Sequence, residues 1–163
     1  INKYIKHREM FRPFAPAILE EKSLEYFNLN KSPFMLRVTT CKKKKIIPSA
    51  LHVDNTARVQ TVSKKENKKF YSIINEFYKI TNVPVLLNTS FNDAGEPLVE
   101  TPLDAIISAL KTNLDYLILK DNMTKCISFA SDAPSFPTIN RWLVTCQHYT
   151  HRRAVIHSRE YHN

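Results

Sequence analysis

Residues 83–92 read V-P-V-L-L-N-T-S-F-N, and this stretch decides the fold. The run V-P-V-L-L over 83–87 carries no polar position, which marks a strand buried on both faces. Pro84 fits among its first residues, where no ladder donor is needed. A polar pentad follows at once: Asn88, Thr89, Ser90, Phe91 and Asn92. Open α/β sheets place ligand crevices at the C-terminal ends of buried strands. Serine and asparagine side chains with turn amides there bind phosphate oxygens or a carbamoyl group; the same residues also build ordinary turns.

Outward from this strand the pattern turns helical on both sides. Asn67 predicts a helix cap, and Phe70, Ile73, Ile74 and Phe77 fall on one stripe of a helix running to about Ile80, with Asn82 near its C-cap. Thr101-Pro102-Leu103-Asp104 predicts a second helix start, with Thr101 as N-cap, Pro102 in the first turn and Asp104 favouring the dipole. Its expected buried stripe is Leu103, Ile106, Ile107 and Leu110. Residues 116–119, Y-L-I-L, form another buried strand. Residues 34–40 and 57–62 alternate as half-buried strands do. Residues 17–27 suit a short helix, and residues 6–16 are extended or looped because of Pro13 and Pro16. Helices alternating with buried strands give an α/β (α+β) domain, a mixed β-sheet flanked by helices.

The composition changes beyond about residue 125. Residues 130–137 form a Ser/Pro-bearing linker, and residues 141–163 are rich in His and Arg without periodicity. The expected organisation is one domain over 1–125 and a weakly structured basic extension over 126–163. His148 and His151 share a spacing open to a metal, but a chance pair in a basic tail explains it, so no metal site is assigned.

The 163 residues are 43% hydrophobic and 24% charged, as in a globular protein, and carry a net charge of +9. That charge attracts anions: phosphorylated small molecules, nucleic acids or acidic membranes. No apolar run approaches the length of a bilayer span, and the first residues lack a signal-peptide core. Without an initiator Met, the sequence is expected to start inside a longer polypeptide. Cys41, Cys126 and Cys146 form no C-x-x-C pair, which fits a reducing cytoplasm. Cys41 neighbours the run Lys42 to Lys45, a setting that favours a thiolate, but a reactive role is not expected of it. The lysine run itself reads as a solvated hairpin tip or loop between two strands, with non-specific nucleic-acid contact as the runner-up. With one glycine in the chain, Asn55, Asn82 and Asn92–Asp93 are expected to supply the left-handed turns.

Phosphate binding here cannot use a glycine cradle, because neither G-x-x-x-x-G-K nor G-x-G-x-x-G occurs; H-E-x-x-H and G-x-S-x-G are absent too. Two further clusters supply cations and polar groups. In Lys6-His7-Arg8, with Arg12 behind, an extended K-x-R puts Lys6 and Arg8 on one side, either as a pair of surface cations or as a pairing that an anion or carboxylate relieves. In residues 52–58, His52, Asp54, Thr56 and Arg58 either hold a nucleotide or brace a turn.

Three segments carry a resemblance: R-E-M-F-R-P-F-A-P (8–16), H-V-D-N-T-A-R-V-Q-T-V (52–62) and V-P-V-L-L-N-T-S-F-N-D-A-G-E-P (83–97). Together they resemble the C-terminal domain of NodU/CmcH-type carbamoyltransferases, from the start to about residue 121. Asn55 and Asn82 stand where that family reads glycine. The resemblance implies a YrdC-like twisted mixed β-sheet flanked by helices, as also seen in threonylcarbamoyl-adenylate synthases. It further implies that the domain joins ATP, with Mg2+, and carbamoyl phosphate into carbamoyl-adenylate, releasing pyrophosphate. An N-terminal domain of actin-like ATPase fold, holding iron, then passes the carbamoyl group to a hydroxyl. The YrdC-like signature of Lys-x-Arg plus Ser-x-Asn falls on Lys6, Arg8, Ser90 and Asn92 as catalytic residues. Arg12, His52, Asp54, Thr56, Arg58, Asn88 and Thr89 are implied as substrate or nucleotide contacts.

The expected protein is therefore a cytoplasmic transferase domain, incomplete alone, whose partners are carbamoyl phosphate, ATP and the actin-like domain in cis or trans. Membrane and nucleic-acid partners are not expected; homo-oligomers are open, and an exposed apolar patch should mark the docking surface of the partner domain. The alternatives are a basic RNA-binding module or decayed fragment, and a threonylcarbamoyl-adenylate synthase-like tRNA-modification protein.

Overall fold

A computed structural model describes residues 1–112, 114–119, 122–125, 144–146 and 154–156, the last three stretches as backbone. Strands and helices mix as expected for an α+β chain. The chain divides into two compact units, one of Pro13–Asn88 and the other of Ile1–Arg12 with Thr89–Asn163.

In the first unit, strand β1 (Ala15–Leu19) lies between β4 (Gln60–Val62), parallel, and β5 (Val85–Asn88), antiparallel. The helix expected over 17–27 is thus a strand followed by a 3₁₀ turn and one short helix, α1 (Ser23–Tyr26). Ala and Leu favour helices locally, but Ala17, Ile18 and Leu19 gain full burial by pairing on both sides, and that tertiary gain outweighs a propensity worth a few tenths of a kcal/mol per residue, roughly. β5 is buried at all four positions, as the uninterrupted apolar run predicts, with Pro84 just before it.

The strand expected over 57–62 serves two sheets. β3 (Thr56–Arg58) pairs antiparallel with β2 (Val38–Thr40), while β4 joins β1. Burial changes accordingly, from alternation around Arg58 to complete burial from Val59 to Val62. β2 is shorter than residues 34–40, and Met35, at φ 55°, interrupts the extended run.

Helix α2 (Lys68–Thr81) packs against β1 and β5. Asn67 caps it by accepting from the Phe70 N–H, and Asn82 closes it in the left-handed region at φ 57°. Phe70 and Ile74 are buried, with Ile73 and Phe77 half-buried on the same stripe. Asn55 is left-handed as well; Asn92 and Asp93 are not, and the chain's glycine, Gly95, takes that conformation at φ 75°.

In the second unit, helix α3 (Pro102–Lys111) and strand β6 (Tyr116–Leu119) enclose Phe91, Ala105, Ala109, Leu114 and Leu117. β6 pairs antiparallel with β7 (Asn122–Lys125) and β9 (Ala154–Ile156), and β9 with β8 (Val144–Cys146). His148, His151 and the 130–137 linker lie outside the described residues.

The start of α3 is a full capping box: Asp104 N–H donates to Thr101 Oγ1 at 3.1 Å, and Thr101 N–H to Asp104 Oδ2 at 2.9 Å. The donors from the Thr101 hydroxyl and backbone lower the Asp104 pKa. Thr101→Ala is expected to cost about 1 kcal/mol in urea denaturation, because the Asp104 N–H loses its acceptor and Asp104 Oδ2 loses the Thr101 hydroxyl, while the backbone half of the box remains.

The buried face of α3 corrects the sequence expectation. Leu103, Ile106, Ile107 and Leu110 are 64%, 42%, 42% and 63% exposed, while Ala105, Ser108, Ala109 and Thr112 face inward. The inward set also follows i, i+3, i+4, i+7 spacing, and its small side chains let the helix lie close to β6. Hydrophobicity alone selects the wrong stripe here.

Candidate functional site

The turn after β5 is anchored from below by Phe91, which is buried among the α3 and β6 residues, and by Val99 N–H donating to Phe91 O at 3.0 Å. Its two flanking residues are thereby held at the loop surface. Ser90 Oγ donates to Asn92 Oδ1 at 2.6 Å, and Asn92 Nδ2 donates to Glu96 O at 2.8 Å. The Ser-x-Asn pair therefore acts as one hydrogen-bonded piece.

Lys6 is tied to it. The residue is 5% exposed, and its ammonium donates to Ser90 O at 2.9 Å, to Asn92 Oδ1 at 3.0 Å and to Asn92 O. These three acceptors are neutral oxygens, and Lys6 also acts on the neighbouring Asp93 carboxylate, whose pKa it helps to lower. The N-terminal segment is a turn rather than an extended piece. Ile5 and Lys6 N–H donate to Ile1 O, and His7 has φ 42°. Lys6 and Arg8 consequently do not stand side by side as the period-2 reading expects: Lys6 turns inward, and Arg8 Nε donates to Asn2 Oδ1 at 2.8 Å.

Arg8 is half-buried, and burial, then Arg12, lowers its pKa while Glu9 opposes the shift. Asn2 was invisible to motif reasoning, yet it organises the segment: its Nδ2 donates to Met10 O and Arg12 O at 3.2 and 2.7 Å. Arg12 itself is exposed and meets Glu9 at 3.3 Å. His7 and Asp93 were equally missed, although His7 is the middle residue of the Lys-x-Arg pair and Asp93 directly follows Asn92; His7 Nδ1 lies 2.9 Å from Asp93 Oδ1.

The 52–58 cluster belongs to the other unit and braces a turn. His52 Nδ1 lies 2.9 Å from Thr56 Oγ1, and Asp54 Oδ1 accepts from Thr56 N–H at 2.9 Å and its hydroxyl at 2.7 Å. The Thr56 hydroxyl and N–H lower the Asp54 pKa. Arg58 is exposed on β3. Asn88 is buried and donates to Gln60 Oε1 at 2.7 Å, so it ties β5 to β4 instead of facing solvent; Thr89 is half-buried.

The lysine run is only partly solvated. Lys42 Nζ donates to Leu24 O at 2.7 Å, and Lys43 meets Glu25 and lies 4.5 Å from the Tyr26 ring centroid. Lys44 and Lys45 are exposed. Burial pushes the Cys41 thiol up, with a Lys43 backbone donor opposing, so this cysteine is not activated. Among the described residues no three His, Cys, Asp or Glu side chains gather as a metal site, and no helix is long and apolar enough to cross a membrane.

The fold and the Lys6–Ser90–Asn92 cluster define a mixed α/β domain with a cationic polar loop at a strand end. The chain belongs to the carbamoyltransferase C-terminus family, which it matches over residues 1–125. It is 44% identical over 131 residues to nodulation protein NolNO of Sinorhizobium fredii, a match covering 77% of this chain and 19% of the relative. Nodulation protein NolO of Bradyrhizobium diazoefficiens is 46% identical over 125 residues, 73% of this chain and 23% of its own length. A Methanocaldococcus jannaschii protein of uncharacterised function is 48% identical over 122 residues. This chain thus spans about a quarter or less of the relatives it matches.

Proposed function

We propose that this domain activates carbamoyl groups as carbamoyl-adenylate, with ATP and carbamoyl phosphate as substrates. The observation that carries the reading is the convergence of Lys6, Ser90 and Asn92 on one loop at the end of a buried strand. Carbamoyl phosphate first loses its phosphate to water, giving carbamate and inorganic phosphate. A carbamate oxygen then attacks the α-phosphorus of ATP, and the bond to the bridging oxygen breaks to release pyrophosphate. The charge on the departing phosphates grows in that step. Lys6 supplies a fixed positive charge beneath the loop, and Arg8 a partly desolvated fork beside the segment. The Ser90 hydroxyl at the loop surface orients a phosphate or carbamoyl oxygen.

No covalent nucleophile is needed, since positioning and charge neutralisation lower such barriers. Magnesium would arrive on the nucleotide's own phosphates. His52, Asp54 and Thr56 act through the shape of their turn, with Arg58 the exposed cation on that strand. Transfer to the final hydroxyl is assigned to an iron-holding N-terminal domain of actin-like fold, docked against the outward apolar face of α3.

Calorimetry of the chain with ATP–magnesium and carbamoyl phosphate should show binding, and a pyrophosphate assay should show release only when both are present. A folded chain that binds neither substrate and releases no pyrophosphate would sink this reading.

A further inference from the structure

His7 and Asp93 adjoin the cluster, and the proposed chemistry leaves both unused. His7 Nδ1 lies 2.9 and 3.0 Å from the two oxygens of Asp93. The imidazole is 43% exposed and the carboxylate 18%, so the ring stands at the surface on a sheltered acceptor. Asp93 is held in turn by the Ala94 N–H, which donates to Oδ1 at 2.7 Å. Burial alone would raise the Asp93 pKa, but Ala94, His7 and Lys6 together hold it below its ordinary value. It is therefore a carboxylate at neutral pH. His7 also keeps a left-handed backbone, φ 42°, a conformation strained for a non-glycine residue. Flanking bonds hold that conformation: Lys6 N–H to Ile1 O and Arg8 N–H to Asn2 O, both at 3.1 Å.

The chemistry of the ring follows from its partner. A carboxylate only accepts, so Nδ1 must carry a proton in either charge state. In the neutral ring Nε2 is then a lone pair, which repels a phosphoryl oxygen. In the imidazolium Nε2 becomes a second donor. Nε2 has no partner among the described residues.

We propose that His7 is a pH-gated ligand for an anion: anchored on Asp93, its protonated ring offers Nε2–H to a phosphoryl oxygen bound over the Lys6–Ser90–Asn92 loop. This rests on the phosphate-binding reading above and adds to it a ligand residue and a pH dependence. Asp93 favours the protonated ring. Lys6 and Arg8 oppose it from the same segment, and Lys111 of α3, which acts on Asp93, opposes it while engaged by Glu96 at 2.7 Å. A bound dianion adds a second favourable charge. Binding should therefore raise the pKa of His7, and affinity should be highest below that pKa and fall as pH rises through it.

The test is an NMR titration of the imidazole signals of the whole chain, with and without sulfate, a phosphoryl mimic whose charge is constant from pH 5.5 to 8.5. The His7 resonance is assigned by its loss in His7→Gln. Sulfate should hold the His7 ring protonated to higher pH, and sulfate affinity should fall about tenfold between pH 6 and 8. His7→Gln should bind weakly with no pH slope in that window, and Asp93→Asn should move the midpoint to lower pH. A His7 pKa indifferent to sulfate, or a His7→Gln chain that retains the wild-type slope, overturns the proposal. ATP–magnesium binding is measured in parallel on wild type and Lys6→Met. If Lys6→Met abolishes ATP binding but His7 ignores sulfate, the nucleotide reading stands and His7 is only a brace. If sulfate shifts His7 but ATP does not bind, the anion site stands and the nucleotide reading falls.

Discussion

Lys6→Met should lower the stability of the chain by about 2–4 kcal/mol and reduce ATP–magnesium affinity at least tenfold. Methionine keeps most of the buried stem, so little apolar packing is lost. What disappears is a charged donor set. Ser90 O and Asn92 O lose their Lys6 partner, and Asn92 Oδ1 keeps only the Ser90 hydroxyl. Removing the buried charge also removes its desolvation cost, which is why the expected loss falls short of three full charge-assisted bonds. A lysine in a free surface pair, as the extended K-x-R reading has it, would change stability by about 0.5 kcal/mol or less. Denaturant midpoints therefore separate an inward lysine from an outward one before any ligand is added. Binding is then measured at a temperature where the variant is folded. Unchanged stability and unchanged ATP affinity would together remove Lys6 from the site. Lys6→Arg should not rescue it, because a planar fork cannot serve three acceptors gathered around one tetrahedral ammonium.

The same lysine shows how far the sequence could be read. The strand over 83–87, the Asn67 and Thr101 caps and the Ser90–Asn92 loop were legible because each rests on local chemistry: an apolar run, a cap, a strand end. The relation between Lys6 and Arg8 was not. It turns on one left-handed residue, His7, and on Asn2, whose side chain holds the segment through Met10 O and Arg12 O. Neither histidine nor asparagine announces that role. Likewise His52, Asp54 and Thr56 were recognisable as a cluster, but only hydrogen-bond geometry shows that they satisfy one another within a turn. Residues 17–19 failed for a different reason. Burial between two partner strands overrode local propensity, and those partners lie more than forty residues further along the chain. Tertiary pairing at that range leaves no local trace.

Burial, rather than hydrophobicity, should set the order of core substitutions, and α3 gives the sharpest contrast. Ile18 is fully buried in the central strand of its unit, opposite Thr61 on one side and Val85 on the other. Ile18→Ala should therefore cost about 2–5 kcal/mol, the transfer of the lost carbons plus the cavity that two paired strands cannot close. Leu103 and Leu110 belong to a more obvious apolar stripe, yet both are mostly exposed. Leu103→Ser and Leu110→Ser should change stability by only about 0.5 kcal/mol or less. Ala109→Leu, on the inward face, should cost about 1–3 kcal/mol, because Phe91, Leu114 and Leu117 already share that core. Urea denaturation of the four variants decides the matter. Large losses at Leu103 and Leu110 with tolerance at Ala109 would mean that α3 is turned the other way, and the outward face assigned to the partner domain would then be its core.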